Sequence, residues 1–162
     1  MLEVNLLFNI LTMKNNRNSV LTGVTGEYYV AAELSRMGYI ASITLRNTKG
    51  VDILCSNSDA TKTVSIQVKT GSEVKSTWIL SEKSETYYAP KLFYVFVTLS
   101  KNLHPEYSIV PSKIVADFIT KNHKNYLGSL SKKGKEHKDS SMRKFIDLEK
   151  KYLNRWDLLG LN

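Results

Sequence analysis

Strict alternation of apolar and polar residues predicts a β-strand over residues 63–69. The apolar positions are Val64, Ile66 and Val68, and the polar ones are Thr63, Ser65, Gln67 and Lys69. Successive side chains of a strand point to opposite faces of a sheet, so one face should be buried while the other carries Gln67 and Lys69. Weaker alternation and short apolar runs predict further strands at 39–45, 51–55, 76–80, 92–99 and 107–110, of which the continuously apolar 92–99 should be central.

Two longer segments have the periodicity of helices. Residues 19–37 are rich in helix formers, end before Gly38, and carry a stripe at helical spacing: Glu27, Val30, Ala31 and Leu34. A carboxylate at the head of an apolar stripe is unusual, so Glu27 should either cap the helix or point into a site. A second helix is predicted from Pro111 to about Lys124, with a buried stripe of Ile114, Val115, Phe118 and Ile119. Residues 145–153 are predicted to form a short last helix.

The order of these elements indicates the fold class. A helix is followed by a meander of three strands, further strands, a helix, a basic loop and a short helix, which is typical of a mixed-sheet α/β or α+β protein. The 162 residues suffice for one domain with a real core and are too few for two. The glycines of segment 23–26 lack the preceding strand and third glycine of a dinucleotide-binding loop, so this segment is interpreted as a turn.

Cysteine and histidine usage excludes several kinds of site. The single cysteine, Cys55, allows neither an internal disulfide nor a cysteine-based zinc site, and its apolar neighbours indicate an inert core thiol. The three histidines are too widely spaced to predict a zinc site. No signal peptide or membrane span is predicted, because polar residues interrupt the apolar segment 1–13 and the run 92–99 is short. The expected location is the cytoplasm.

Positive charge is concentrated at the C-terminal end. The net charge is +8, and residues 121–162 carry 11 basic and 5 acidic side chains, against 12 and 10 in residues 1–120. A basic segment indicates a polyanionic partner, nucleic acid before membrane, although a lysine-rich surface that only confers solubility would look the same. The candidate phosphate-binding residues are Lys49, Lys132, Lys133, Lys135 and Lys138.

Four polar residues fall where the predicted elements could bring them together. Glu27 lies on the first helix, Asp52 follows a turn that ends at Gly50, and Gln67 and Lys69 share a strand face. A hairpin joins the two strands, so Asp52 and Gln67 should be neighbours. Carboxylate and amide oxygens suit Mg²⁺ or Mn²⁺, and a nearby lysine can orient a water and offset charge on a phosphate.

This arrangement resembles the PD-(D/E)XK nuclease superfamily, whose fold is restriction-endonuclease-like. Asp52 matches the aspartate of the motif, Gln67-Val-Lys69 matches the (D/E)-X-K element, and Glu27 matches the glutamate of the first helix. The pattern GEYYVAAEL…KGVDIL…IQVKTGS is similar to small bacterial restriction-endonuclease-like proteins of uncharacterised role, and the similarity extends from about residue 23 to 120. Val51 stands where the family name has proline, and Gln67 replaces an acid, as it does in some active members.

The resemblance implies a divalent-metal-dependent nuclease that hydrolyses DNA phosphodiester bonds. Glu27, Asp52, Gln67 and Lys69 would be its catalytic residues, and the first three would hold Mg²⁺ or Mn²⁺. A homodimer would be expected for double-strand cleavage, since one site cuts one strand. Two alternatives remain: a nucleic-acid-binding module without catalysis, and a protein-interaction or toxin–immunity component on the same fold.

Overall fold

A computed structural model describes residues 19–45, 49–71, 76–99 and 104–162. Its two helices within these ranges are α1 (Ser19–Arg36) and α2 (Ser112–Leu127). The strands are β1 (Ile40–Ile43), β2 (Ile53–Ser56), β3 (Thr63–Gly71), β4 (Thr77–Ser81), β5 (Leu92–Thr98), β6 (Glu106–Pro111) and β7 (Met142–Ile146), and two 3₁₀ helices cover Glu82–Glu85 and Trp156–Leu159. No helix in the described ranges is both long and apolar enough to cross a bilayer.

Five strands form the main sheet in the order β1-β2-β3-β5-β6. All neighbours are antiparallel except β3 and β5, which run parallel and pair Gln67 with Tyr94 and Lys69 with Phe96. Strands β4 and β7 form a separate antiparallel pair. The sheet is therefore mixed, as the predicted order of elements implied.

The core lies on both faces of the main sheet. Helix α1 packs Val30 and Leu34 against the face that contains Ile66 and Val68. The other face is covered by α2 and the β4–β7 pair, where the ring of Phe96 stacks on that of Phe145 with centroids 4.5 Å apart. Because side chains alternate along β3, Gln67 and Lys69 point to this second face.

The main strand and helix predictions are confirmed. Val64, Ile66 and Val68 are buried, and all seven residues of β5 are buried in an interior strand. Cys55 is also buried, and burial raises the pKa of its thiol to about 11, which fits an inert core residue.

The prediction of a helix over residues 145–153 is wrong. Residues 142–146 form β7, in which Arg143 and Phe145 are buried while Met142 and Lys144 are exposed. Arg143 meets the carboxylate of Glu85, which compensates its burial. The chain then turns, and the Asp147 carboxylate accepts hydrogen bonds from the backbone N–H groups of residues 151 and 152. The alternation of buried and exposed residues along 142–146, rather than the helix propensity of residues 145–153, therefore determines the structure of this segment.

Two details of the helices also differ from prediction. Ile114 is 40% exposed on α2, and the buried small residues Ser112 and Ala116 complete its inner face instead. The segment 23–26 is not a turn, because it lies inside α1. A Cβ atom on Gly26 would come within 1.9 Å of Thr70 Oγ1, so glycine lets the helix approach β3 closely.

Gly26→Ala is therefore expected to lower the free energy of unfolding by about 1–3 kcal/mol, because the new methyl group overlaps Thr70. Gly23→Ala is a matched control in the same helix, where a Cβ meets no atom within 4 Å. It is expected to stabilise the protein by up to about 1 kcal/mol through helix propensity. Urea unfolding of both variants checks the two signs, and equal effects would contradict the close approach of α1 to β3.

Candidate active site

Asp52 lies where strands β2 and β3 separate. The two strands pair only from Ile53–Ile66 to Ser56–Thr63, and β3 then continues beyond β2. The Asp52 N–H donates a hydrogen bond of 2.9 Å to the carbonyl of Ile66, which is already the register partner of Ile53. Asp52 and Ile53 therefore both oppose Ile66, as in a β-bulge. One carboxylate oxygen, Asp52 Oδ2, accepts a hydrogen bond of 2.7 Å from the Val68 N–H.

The Asp52 carboxylate takes the place of a backbone group in the hydrogen bonding of β3. It replaces the carbonyl that a neighbouring strand would offer to Val68, so it lies close to the plane of the sheet. On the other side the Asp52 carbonyl accepts the Thr44 N–H at 2.9 Å, which fixes the backbone. Oδ2 is thus engaged with Val68, while Oδ1 makes no hydrogen bond to a described residue.

Gln67 and Lys69 extend from the same face of β3. Both are half-buried, and they are separated by two residues, or about 6.6 Å along the strand. Neither side chain makes a hydrogen bond or an ion pair with another described residue. Polar groups that are partly withdrawn from water yet unengaged are available to bind a ligand. The structure thus places Gln67 beside Asp52, with Lys69 further along the same face.

Glu27 approaches from the opposite face. Its neighbour Gly26 packs on Thr70, so Glu27 is at the end of β3 that carries Lys69. It is half-buried on α1, the helix that covers the Val68 side of the sheet. Glu27 therefore does not share a face with Gln67, and any convergence of the two must occur around the in-plane carboxylate of Asp52.

A cleft of about 360 Å³ opens beside Gln67. It is lined by Lys49, Gly50, Gln67, Ser81, Lys83, Ser84, Thr86 and Tyr87. The Tyr87 hydroxyl donates a hydrogen bond to the Lys49 carbonyl at 3.1 Å. A Cβ atom on Gly50 would come within 2.5 Å of the Tyr87 ring. Gly50 also has φ +71°, so both space and conformation require glycine. Two exposed lysines, Lys49 and Lys83, make the cleft basic.

Of the residues that line this cleft, Lys49 and Gln67 have roles predicted from the sequence, whereas Lys83, Ser84 and Tyr87 do not. The latter three residues come from the segment between β4 and β5, whose approach to β3 depends on tertiary packing. Tyr87 follows the 3₁₀ helix Glu82–Glu85 in this segment. In the structure it packs on Gly50 and forms one wall of the cleft.

Tyr94 lies within the apolar run of β5, where the sequence predicts no functional residue. The side chain is fully buried, and its hydroxyl makes no hydrogen bond with a described residue. Burial raises the pKa of this phenol, and Tyr87 and Asp52 raise it further. The neighbouring Ser84 hydroxyl opposes this rise by more than either Tyr87 or Asp52 adds to it, although it does not have the geometry of a hydrogen bond to the phenol. The phenol therefore remains protonated under ordinary conditions.

The basic loop, residues 128–141, adjoins the wall of the cleft. The four candidate lysines in it, Lys132, Lys133, Lys135 and Lys138, are all exposed. At its end the Ser141 carbonyl accepts the Glu82 N–H at 2.9 Å, next to the cleft residue Lys83. His123 and Asp139 form a hydrogen bond of 2.7 Å between α2 and the loop, which lowers the pKa of the aspartate.

The available donors fit a hard divalent cation. Within the described ranges no three His, Cys, Asp or Glu side chains are grouped closely enough to hold a metal ion. A cation would instead bind through Asp52 Oδ1, the Gln67 side-chain carbonyl, Glu27 where it reaches, and water or phosphate oxygens. Mg²⁺ commonly uses one or two carboxylates and keeps several waters, and Mn²⁺ accepts the same oxygen donors. Zinc, which prefers nitrogen and sulfur ligands, does not fit.

Comparison with known proteins supports the fold. No protein-family model and no curated protein matches the sequence. Among solved structures the chain resembles a bacterial homing endonuclease, with a TM-score of 0.51 and 15% identity, over 88% of this chain and 92% of that one. It also resembles Hjc, a Holliday junction resolvase from the archaeal hyperthermophile Archaeoglobus fulgidus, with a TM-score of 0.45 and 14% identity, over 77% and 84%. The fold is restriction-endonuclease-like, as the motif resemblance predicted.

Proposed function

We propose that this protein is a divalent-metal-dependent nuclease that hydrolyses DNA phosphodiester bonds at the edge formed by Asp52, Gln67 and Lys69. The observation that carries the proposal is the Asp52 carboxylate, held by Val68 at the divergence of two strands with one oxygen left for a ligand. Gln67 and Lys69 stand beside it on β3 without partners among the described residues. A carboxylate, a neutral oxygen and a cation at one edge suit hydrolysis of a phosphodiester.

Each residue has a distinct role in this reaction. The attacking water loses a proton to solvent as its oxygen bonds to phosphorus, the bond from phosphorus to the sugar oxygen breaks, and the leaving oxygen takes up a proton from solvent. Bound Mg²⁺ or Mn²⁺ supplies Lewis acidity, which lowers the pKa of water and offsets phosphate charge. Asp52 and Gln67 would hold the cation, with Glu27 as a third ligand from the other face. Lys69 would orient the water and stabilise charge that develops on the phosphate.

The distribution of lysines favours nucleic acid as the substrate. Lys49 and Lys83 flank the cleft, and the basic loop adjoins its wall at Ser141. Exposed lysines bind phosphates without selecting a sequence, so they would hold DNA against the cleft by charge. A single chain then cleaves one strand, and paired cleavage of both strands requires two copies.

Purified protein should nick supercoiled plasmid DNA in the presence of Mg²⁺ or Mn²⁺ and stop when EDTA is added. DNA binding without nicking under either metal would favour a non-catalytic nucleic-acid-binding module. Failure to bind DNA at all would favour a protein-interaction role. Linear product that rises with protein concentration would support a homodimer, and nicked circles alone would support an independent monomer.

Gln67→Glu should reduce the metal concentration needed for half-maximal cleavage. The change raises the ligand charge of Glu27, Asp52 and residue 67 from −2 to −3 without lengthening the side chain, and a hard cation binds anionic oxygens more tightly. Two effects oppose the gain: glutamate loses the donor NH₂ group, and the added charge repels DNA when the metal is absent. We expect the gain in metal affinity to dominate at low Mg²⁺.

A titration of Mg²⁺ against initial cleavage rate measures the effect of Gln67→Glu. Ser65→Asp is the control, because it adds one negative charge on the same face of β3, two residues nearer the hairpin. The control should leave the metal requirement unchanged. If the requirement of the Gln67 variant rises or does not move, Gln67 is not a metal ligand.

A further inference from the structure

Two buried hydroxyls in the described part of the chain have no hydrogen-bond partner: Thr70 Oγ1 and the Tyr94 hydroxyl. A buried hydroxyl without a partner destabilises a protein, since it loses water and gains nothing in return. Thr70 Oγ1 lies against Gly26 on the α1 side of the sheet, away from the face that carries Gln67. Tyr94 lies on the other face, in an otherwise apolar strand where phenylalanine would pack as well, and the Ser84 hydroxyl beside it does not have the geometry of a hydrogen bond to it.

The order of the strands places Gln67 between Tyr94 and Asp52. Gln67 and Tyr94 are register partners on the parallel strands β3 and β5, and their side chains share one face. Asp52 lies on the opposite flank of β3, where its carboxylate bonds Val68. The Tyr94 hydroxyl is near Ser84 and Tyr87, which line the same cleft as Gln67. Neither the Gln67 side chain nor the Tyr94 hydroxyl has a hydrogen-bond partner among the described residues. Rotation about the side-chain bonds of Gln67 would bring its amide to the Tyr94 hydroxyl.

The choice of glutamine gives this juxtaposition a chemical meaning. An amide has a carbonyl end and an NH₂ end, and only the carbonyl can bind a cation. If the carbonyl turns toward Asp52 and the metal, the NH₂ group turns toward β5 and needs an acceptor there. The oxygen of a protonated phenol is an acceptor, and β5 offers no other side-chain acceptor beside Gln67, because the neighbours of Tyr94 on this face of the strand are Leu92 and Phe96.

We infer that Tyr94 is a positioning residue, whose hydroxyl accepts a hydrogen bond from the Gln67 NH₂ group and thereby holds the Gln67 carbonyl toward Asp52 and a divalent cation. The inference rests on the proposed function, because it assigns a residue to the same metal site. The two groups are not hydrogen-bonded in the structure, so the bond is gained when the Gln67 side chain turns to the cation. Removal of the Tyr94 hydroxyl should therefore destabilise the metal-bound protein and leave the metal-free protein unaffected.

Tyr94→Phe tests this directly, with Mn²⁺ binding in the absence of DNA as the readout. Calorimetric titration should show Mn²⁺ binding about three- to tenfold weaker than in the wild type, the range expected for one net hydrogen bond. The ring remains, so no cavity forms, and the urea midpoint should be unchanged or higher because an unpartnered hydroxyl is removed. Tyr107→Phe is the matched control: it makes the same change at a buried tyrosine of β6 on the α1 side and should leave Mn²⁺ affinity unchanged.

A second test measures the effect of Tyr94→Phe on Mn²⁺ affinity in the Gln67→Glu background. If Tyr94 had only a structural role, this effect would be the same with glutamine or glutamate at position 67. A carboxylate at position 67 can ligate the cation through either oxygen. The Tyr94 hydroxyl can donate a hydrogen bond to that carboxylate both with and without metal. This hydrogen bond therefore contributes nothing to the difference in free energy between the metal-free and metal-bound protein. Tyr94→Phe should then change Mn²⁺ affinity less than twofold when it is combined with Gln67→Glu. Equal losses with and without Gln67→Glu, or a large loss of stability in Tyr94→Phe, would overturn the inference.

The outcomes separate this inference from the proposed function. If the wild type binds Mn²⁺ in a Tyr94-dependent way but never cuts DNA, the positioning role stands and the nuclease function fails. If the wild type cuts DNA and Tyr94→Phe binds Mn²⁺ as well as the wild type does, the positioning role fails and the function stands. If the wild type binds no Mn²⁺, the positioning role falls together with the metal site.

Discussion

Asp52→Asn should abolish divalent-dependent DNA cleavage while the protein stays folded. Asparagine keeps a side-chain oxygen that can accept the Val68 N–H, so the hydrogen bond that joins this segment to β3 is preserved. It removes the negative charge and turns an NH₂ group toward the cation. Loss of groups that only support a metal ligand commonly lowers activity about 10–100-fold, and loss of the ligand itself should have at least that effect.

Asp52→Ala is a less informative variant because the carboxylate also has a structural role. Alanine leaves the Val68 N–H without its acceptor, which should lower the free energy of unfolding by about 1–3 kcal/mol. A comparison of the two variants by urea unfolding separates the structural role of Asp52 from its role in the site. Asparagine should be close to the wild type in stability, and alanine should not.

Lys69→Met completes this test on the other charged member of the edge. Methionine keeps most of the aliphatic length beside Phe96 and removes the ammonium group. Cleavage should be lost with the stability preserved, as measured by plasmid nicking and urea unfolding together. Wild-type nicking by either Asp52→Asn or Lys69→Met would show that the reaction occurs elsewhere on the protein.

The sequence predicted the parts of the site that depend on a single strand. Alternation in 63–69 placed Gln67 and Lys69 on one face, and the hairpin brought Asp52 to that strand, because both features are local in the chain. The in-plane position of the carboxylate was not predictable, since it results from an offset of one residue between β2 and β3. That offset alters no hydrophobic pattern, and only the hydrogen bonds of Asp52 reveal it.

The parts that were missed depend on long-range contacts. Residues 145–153 contain helix formers, but Phe145 fits among the rings of Phe96 and Phe118, and that packing outweighs helix propensity. Gly26 is a second example. In the sequence a glycine at this position is typical of a turn, and its role in the close contact between α1 and β3 depends on the tertiary packing. Tyr94 carried a signal that could have been used, because it contributes the only polar side-chain atom in the apolar run Leu92 to Val97.

Neutralising the basic loop should weaken DNA binding about equally for every sequence. The variant replaces Lys132, Lys133, Lys135 and Lys138 with glutamine. If each lysine contacts one phosphate, the slope of log affinity against log salt should fall by about 0.9 per lysine, or about 3.6 in total. Between about 50 and 200 mM salt, the wild type should then lose roughly a hundredfold more affinity than the variant. Binding titrations on two unrelated duplexes over that salt range measure both effects.

A control variant distinguishes contact from net charge. Replacing Lys62, Lys91, Lys150 and Lys151 with glutamine removes the same charge from other surfaces: the β2–β3 hairpin, the start of β5 and the turn after β7. Charge at these positions attracts DNA only at long range, so the salt slope should change far less than in the loop variant. Equal slopes in the two variants would mean that the loop lysines are simply solvated. A slope lowered only in the loop variant would place the phosphates along residues 128–141, beside the cleft that Gln67 lines.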